Sequence, residues 1–500
     1  MDLRDLLHGV TADPVAAVPI AGIACHSKQV QAGDVFVAIA GAAADGHAYI
    51  DEAIARGAAA VVAQRLPAQR QDPRRGSARA CPCVLVPDSR EALVHIATRY
   101  YGHPSRKLRL LGVTGTNGKT TTTYLLKTIL DATGAKAGLL GTIVYQIGGR
   151  VLPSTNTTPG PLELQRFFAQ MVGQGMQWCA MEVSSHALVQ HRVAGLEFEA
   201  AIFTNLGSDH LDYHKTRDAY AAAKRRLFEH LRPDGVAVIN VDDEYGRVLA
   251  ETLPVAERGR VVTYGLEQPA KVSVKDIRST WQGLEAVLES PWGVVPVAMA
   301  LLGAHNIMNI AAAGAALLAL GVTPGDLRTG LAAVAQVPGR LERIRNDGDI
   351  NVLIDYAHTA DAMRLVLRSL RQLTPHGRLI AVFGCGGNRD QTKRPVMGRM
   401  AGMLADHVIL TSDNPRGEDP REIIRQIRAG FPSAFTQFEE QPDREQAITT
   451  ALAMARRDDT VLIAGKGHEA YQMFDHVSVP FSDREVVERW FAAQHTVACS

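Results

Sequence analysis

The stretch Gly112-Val-Thr-Gly-Thr-Asn-Gly-Lys-Thr-Thr-Thr122 constrains this chain more than any other. Residues 108–113 before it read as an apolar strand, and 120–132 after it read as a helix. A second strand pattern at 137–142 makes the segment the start of a parallel sheet covered by helices. Glycines at 112, 115 and 118 let successive backbone N–H groups turn inward, toward the partly positive N-terminus of the helix. Such a loop suits phosphate. Lys119 would reach its outer oxygens, and the Thr120 hydroxyl a Mg²⁺ ion. The spelling is nonetheless irregular, because the pattern G-x-x-x-x-G-K-[ST] wants a glycine where Val113 stands. A glycine-rich turn with an incidental lysine is the plainer reading. Strand, glycines, Gly-Lys-Thr and helix in one run weigh against it.

The rest of the chain divides around that segment. At ~100–200 residues per domain, 500 residues give three domains or four. Residues 1–105 mix strand patterns at 35–39 and 84–86 with helical ones at 50–64 and 89–101. Ser89 would cap the second helix, with Glu91 in its first turn. The arginine-rich run 69–79 reads as an exposed loop, and Tyr101-Gly-His-Pro104 punctuates a boundary. Residues 106–340 add strands at 177–181, 200–204 and 236–240. Residues 260–297 suggest an antiparallel excursion, and 307–321 an alanine-rich helix. Residues 341–500 alternate again, with strands at 350–356, 379–384, 408–412 and 461–465 between helices near 361–373, 395–405, 420–430 and 443–456. That is a doubly wound α/β pattern, which collects ligands at the carboxyl ends of its strands.

Charge narrows the partners. Lys+Arg less Asp+Glu is 53 − 52 = +1, so no basic field draws nucleic acid or a membrane surface. An acidic small substrate would have to be met by local charge. With 46% apolar and 21% charged residues the composition is that of an ordinary globular chain. Of six cysteines only Cys81-Pro-Cys83 are close, a weak metal signal without a second pair, and reduced structural thiols are expected. Met1-Asp-Leu-Arg-Asp5 shows no basic-then-apolar leader, and no apolar stretch reaches the ~18 residues of a membrane span. The expectation is a cytoplasmic enzyme or binding protein.

Mg²⁺ wants hard oxygens, with one or two of them from protein carboxylates. Trp178-Cys-Ala-Met-Glu182 would end a strand in an acid, and His210 stands between acids in Thr204-Asn-Leu-Gly-Ser-Asp-His-Leu-Asp212. A strand that simply ends in an acid and a structural histidine are the bland alternatives. No N-K-x-D motif and no protein-kinase motif set is present, which counts against a GTPase switch and a protein kinase.

Taken together these motifs resemble the Mur ligases, which share with folylpolyglutamate synthases the loop spelling Thr114-Gly-Thr-Asn-Gly-Lys-Thr-Thr121. Glu182-Val-Ser-Ser-His186, Asp209-His-Leu-Asp212, Gly303-Ala-His-Asn306 with Asn309, Val337-Pro-Gly-Arg340, Asp355-Tyr-Ala-His358 and Ser412-Asp-Asn-Pro-Arg416 stand in the family's order, from Ser27 to Glu469. The resemblance implies α/β architecture in three domains: a small uridine-binding domain (1–105), a P-loop-type ATPase domain with a mostly parallel sheet (106–340) and a Rossmann-like amino-acid-binding domain (341–500). It implies a cytoplasmic, monomeric ligase, using ATP and Mg²⁺ to join meso-diaminopimelate to UDP-N-acetylmuramoyl-L-alanyl-D-glutamate in peptidoglycan precursor synthesis.

Residue by residue, the resemblance puts Gly115, Thr116, Asn117, Gly118, Lys119, Thr120 and Thr121 around ATP. Asn306 would lie near adenine, Arg340 near phosphate and Asp355 near ribose, with His305 and His358 assisting. Thr120, Glu182 and His210 would surround the metal. Lys224, which otherwise reads as part of a solvated cationic helix face, would be an N6-carboxylysine. Lys119, Lys224, His210 and Glu182 make the implied catalytic set. Ser27, Gly46 and His47 would meet the uridine diphosphate, and Asn156, Thr157, Thr158, Ser184, Gln190 and Arg192 the muramoyl-dipeptide. Arg389, Asp413, Asn414, Pro415, Arg416, Gly465 and Glu469 would hold diaminopimelate, where a planar arginine fork suits the second carboxylate. Three departures from the family spelling stand out: His26-Ser-Lys28 in place of Asp-Ser-Arg, Asn388 for Asp, and Ala360 for Pro. The competing expectations are an L-lysine-adding ligase, a folylpolyglutamate synthase and a non-catalytic, nucleotide-regulated binding module.

Overall fold

A computed structural model of the chain describes residues 1–41, 44–67, 81–207, 209–253, 260–346 and 348–498. Among them the strands form three main sheets and one hairpin, Tyr471–Phe474 with Val477–Pro480. The first sheet is parallel throughout, in the order Gly22–Ala24, Asp34–Val37, Ala60–Ala63, Cys83–Leu85. The alanine-rich run 50–64 is not one helix. The helix is Ile50–Ala55, Gly57 turns the chain at φ +96°, and Ala60–Ala63 is a buried strand. Alanine packs equally well in either element, so its abundance there carried no period. The next helix, Ser89–Tyr100, is capped by Asp88, whose carboxylate accepts from the amides of Arg90 and Glu91. Ser89 instead donates to Gln64 Oε1. The arginine-rich run at 69–79 lies outside the described residues. No disulfide joins the described cysteines.

The central sheet has eleven described strands. Its parallel heart runs Ala137–Leu140, Trp178–Glu182, Arg109–Thr114, Phe198–Phe203, Leu231–Asn240, Arg260–Gly265. A hairpin, Val144–Ile147 with Arg150–Pro153, closes one edge. Val272–Thr280, Gly283–Ser290 and Gly293–Met299 continue the other edge with antiparallel pairing. The antiparallel excursion thus starts later than the sequence suggests. Arg260–Gly265 pairs parallel with Leu231–Asn240, because β-branched residues mark a strand but not its direction. Helices Lys119–Ala132 and Asn306–Ala319 bury their apolar sides on one sheet face, and Pro161–Gly173 on the other. Leu162 of that last helix also packs against the first domain's core.

The third sheet runs Glu342–Ile344, Asn351–Asp355, Thr460–Ala464, Leu379–Phe383, His407–Leu410, Phe438–Glu440, parallel except for its first strand. Its loops at 384–390, 411–418 and 465–469 leave neighbouring strands at their carboxyl ends. Beneath them Arg444, wholly buried, pairs with Asp483 at 2.7 and 2.8 Å and donates to the carbonyls of Ser412 and Ala464. A buried cation with four hydrogen bonds to these acceptors fixes the two strand ends against each other. No described helix is long and apolar enough to cross a membrane.

Candidate active site

Val113 is buried inside the strand, paired with Glu182 on one side and Ile202 on the other. The loop begins only at Gly115, so no glycine is required at 113. Gly115 (φ +147°) and Gly118 (φ +87°) hold backbone angles that favour glycine. A Cβ at Gly115 would overlap the Thr204 hydroxyl, and one at Gly118 the Asn309 carboxamide. The next strand end serves as the loop's template. Thr204 Oγ1 donates to the Asn117 carbonyl at 2.6 Å, and the Asn117 amide donates to Asn205 Oδ1 at 3.0 Å. Lys119 Nζ lies against the carbonyls of Gly115 (2.9 Å) and Thr116 (2.8 Å). Burial lowers its pKa, with Glu182 and Asp209 opposing.

The loop opens into a cavity of about 420 Å³. Its walls include Thr116 to Thr121, Asn156, Thr157, Glu182, Ser184, Arg192, His210, Lys224, Asn306, Arg340 and Asp355, all expected at the site. Gly115, Thr158 and Gln190 stand behind the wall. Thr158 Oγ1 donates to the Glu182 carbonyl (2.9 Å) and accepts from the Ser184 amide (3.0 Å). The Arg192 guanidinium donates to Gln190 Oε1 (3.0 and 2.7 Å) and to the Thr158 carbonyl (2.8 Å).

Glu182 is 1% exposed and accepts from the amide (2.7 Å) and hydroxyl (3.0 Å) of Thr142. His210, its side chain 45% exposed, stands with Nε2 3.5 Å from Asp209 Oδ2; desolvation lowers its pKa to about 4, and Asp209 opposes this. A hydroxyl (Thr120), a carboxylate and a neutral imidazole on one cavity wall fit a magnesium ion. Among the described residues no group of three His, Cys, Asp or Glu side chains is placed to hold a metal by itself. The fit is therefore to an ion completed by phosphate and water.

Lys224 lies on the helix Arg217–Arg225, yet it is 1% exposed while Arg226 faces solvent. Its ammonium sits 4.2 Å from the Tyr220 ring centroid, and burial, with Lys119 adding, pushes its pKa well below the ordinary lysine range. Arg340 Nη2 donates to Thr120 Oγ1 at 3.0 Å, and its Nε–H is buried without an acceptor in the protein, an arrangement that suits an anion. Asp355 Oδ2 accepts from the Leu341 amide and Oδ1 from that of Ala357, both at 2.7 Å. It braces the interdomain turn, where Leu341 holds φ +43°. Burial raises its pKa and Arg340 opposes this. His305 reaches across to Ser369 (3.2 Å), and Asn306 is held by the Leu302 carbonyl and Asn309.

A second cavity of about 410 Å³ adjoins the first. Arg389, Asp413, Asn414, Arg416, Gly465 and Glu469 line it, and His186, Asp209, His210, Tyr356 and His358 belong to both walls. Pro415 is not in the wall; its carbonyl accepts from the Glu418 amide. Arg416 donates to the Gly387 carbonyl at 2.9 Å, and burial, with Arg389 adding, lowers its pKa. At Gly465 (φ +109°) a Cβ would stand 2.5 Å from the Asp413 carboxylate. Asn388, at φ +51°, accepts from the Gly417 amide.

Ser27, Gly46 and His47 line neither cavity. Ser27 donates to Glu52 at 2.8 Å, and His47 lies between Asp45 (2.6 Å) and the Gln64 amide (3.2 Å). His26 Nδ1 accepts from the Lys28 amide, a capping role an aspartate could also fill. Sequence reasoning gave no role to Asp209, Tyr356, Lys393, Thr142 or Lys466. The first two stand inside quoted motifs. Lys466, wholly buried, sits inside Gly465-Lys-Gly-His-Glu469, and that composition alone could have flagged it.

The family model described as Mur ligase family, catalytic domain, matches residues 19–101; Mur ligase middle domain matches 113–317; and Mur ligase, glutamate ligase domain, matches 339–467. A protein of Geobacter metallireducens named UDP-N-acetylmuramoyl-L-alanyl-D-glutamate–2,6-diaminopimelate ligase is 42% identical over 98% of each chain. The protein of the same name from Geobacillus kaustophilus is 43% identical over 96% of this chain and 95% of its own. A solved structure under that name covers 99% of both chains at 33% identity and a TM-score of 0.69. Folylpolyglutamate synthase of Mycobacterium tuberculosis, complexed with ADP, shares the fold at 19% identity and a TM-score of 0.63, covering 75% of this chain and 92% of its own.

Proposed function

The chain belongs to the Mur ligase family, and from that premise we propose that it joins meso-diaminopimelate to UDP-N-acetylmuramoyl-L-alanyl-D-glutamate at the expense of ATP, in the making of peptidoglycan precursors. One observation carries the reading: the cavity of the phosphate loop shares a wall with a cavity lined by two arginines, an asparagine and a glutamate. The first suits a nucleotide and a carboxylate, the second an amino acid with an extra acid group.

A carboxylate resists an amine because oxide would have to leave. In the proposed reaction a D-glutamate carboxylate oxygen attacks the γ-phosphorus of ATP and ADP departs, leaving an acyl phosphate. The amine of diaminopimelate then attacks the acyl carbon, loses a proton, and phosphate leaves. Both steps gather negative charge, which cations and N–H donors stabilise. Lys119, the amides of 116–121 and Arg340 would supply them around the phosphates, with Asn306 near adenine and Asp355 near ribose. Thr120, Glu182 and His210 would hold Mg²⁺, which when bound neutralises phosphate charge.

Lys224, a buried amine whose pKa desolvation pushes well below the ordinary lysine range, is suited to attack carbon dioxide: the nitrogen–carbon bond forms, a proton leaves, and the N6-carboxylysine would add a negative group to the metal's surroundings. Asn156, Thr157, Ser184 and Arg192 would hold the muramoyl-dipeptide, with Thr158 and Gln190 bracing them, and Ser27, Gly46 and His47 would meet uridine on the domain of residues 1–105. Residues 106–340 and 341–500 would carry ATP and the amino acid. The enzyme is proposed to act as a cytoplasmic monomer. Arg389 and Arg416 favour the diacid over L-lysine. Against a folylpolyglutamate synthase stands the quarter of the chain that the likeness to that fold leaves uncovered.

The test is isotopic. With the D-glutamate carboxylate labelled by ¹⁸O, the released phosphate should carry one labelled oxygen. Unlabelled phosphate would contradict an acyl-phosphate route.

A further inference from the structure

Tyr356 stands in the wall of both cavities. Its backbone is clamped from either side. Asp355 holds the amides of Leu341 and Ala357, and a Cβ on Gly467 would come within 2.8 Å of Tyr356 Cβ. The backbone that carries the ring is therefore fixed, and the ring's face and hydroxyl meet different partners. The Arg340 guanidinium carbon lies 4.7 Å from the ring centroid. The phenol oxygen lies 3.4 Å from Glu469 Oε1. The other Glu469 oxygen is already engaged, by Asn414 Nδ2 at 2.9 Å and Lys466 Nζ at 3.1 Å. Oε1 is thus the oxygen left to receive an ammonium group, and the tyrosine hydroxyl is what aims it.

Arg340 in turn holds the Thr120 hydroxyl, so unbroken contact runs from the phosphate loop through Arg340 and Tyr356 to Glu469 and Asn414. We propose that Tyr356 is a positioning residue that couples the two cavities: nucleotide that engages Arg340 steadies the ring, and the ring's hydroxyl sets Glu469 for the incoming amino acid. The amino acid then binds tighter to the nucleotide-loaded enzyme than to the empty one, and the reverse holds by linkage. This rests on the ligase reading above.

Contact alone does not establish coupling, so the experiment measures it. Full-length wild type, Tyr356→Phe and Tyr356→Leu are compared for KM of diaminopimelate, KM of ATP and kcat. Binding of diaminopimelate is also titrated with and without a non-hydrolysable ATP analogue. Tyr356→Phe keeps the ring on Arg340 and loses only the hydroxyl, so the amino-acid KM at saturating ATP should rise roughly tenfold, while binding of the ATP analogue to enzyme without amino acid moves by less than about twofold. The analogue should tighten amino-acid binding in wild type and not in this variant. Tyr356→Leu should raise both KM values. A phenylalanine variant with wild-type KM for the amino acid and wild-type coupling overturns the proposal, as does a fall in kcat or Tm with both KM values unmoved. If wild type itself shows no amino-acid-dependent ADP release, the ligase reading fails and this inference fails with it.

Discussion

Arg340 Nη2 donates to the Thr120 hydroxyl at 3.0 Å, although 220 positions separate the two residues. The phosphate loop and the turn that leads into the third domain are therefore one unit, and the same guanidinium faces Tyr356. Arg340→Lys keeps the charge but not the planar fork, so the KM for ATP should rise about tenfold. Arg340→Ala should lower kcat/KM for ATP by about 10²–10³-fold. Steady-state kinetics with varied ATP checks both, and an Ala variant near wild type would remove Arg340 from the phosphate site.

Lys224 should be indispensable in a way its charge does not explain. Lys224→Ala should lose about 10²–10³-fold in kcat, with short carboxylic acids restoring part of it by standing in for the carbamate. Full activity without any such rescue would sink the assignment.

The guanidinium of Arg416 should decide which amino acid is taken. Removing a charged hydrogen-bonding partner costs about 1.5–3 kcal/mol, so Arg416→Ala should lower kcat/KM for diaminopimelate by about 10–10²-fold and narrow its preference over lysine. The KM for ATP should hold. Parallel assays with the two amino acids test the point; an unchanged ratio would place the second carboxylate elsewhere.

Buried imidazoles give stability a pH dependence of known sign. Burial holds His305 and His468 near pKa 4, against an ordinary 6.5. The unfolded chain takes up protons between those values that the folded chain refuses. Their contribution is therefore full above pH 6.5 and is lost as pH falls toward 4. Calorimetric Tm should drop across that window, and less steeply in His305→Gln. An equally steep fall in the variant would show that His305 does not titrate as described.

What the sequence made legible follows the range of the forces involved. The strand, loop and helix around Lys119 are local, and their periods and glycines predicted them. The alanine run at 50–64 misled because alanine has no face. Glu182 and Arg340 were named by motif, yet what they touch comes from elsewhere in the chain: Thr142 for Glu182 and Thr120 for Arg340. Lys224 illustrates the limit best. Its neighbours Arg225 and Arg226 belong to the same residue class, and only the packing of its helix against the phosphate loop, where Tyr220 Oη lies 3.2 Å from Thr116 Oγ1, distinguishes the buried lysine. Ser27, Gly46 and His47 lie apart from both cavities, engaged within their own domain.

The most direct measurement is ADP release by the full-length enzyme with ATP, Mg²⁺ and UDP-N-acetylmuramoyl-L-alanyl-D-glutamate, comparing meso-diaminopimelate with L-lysine. Release should depend on the amino acid, with kcat/KM for diaminopimelate exceeding that for lysine by about 10²-fold or more. Preference for lysine, or ADP release indifferent to either amine, would contradict it.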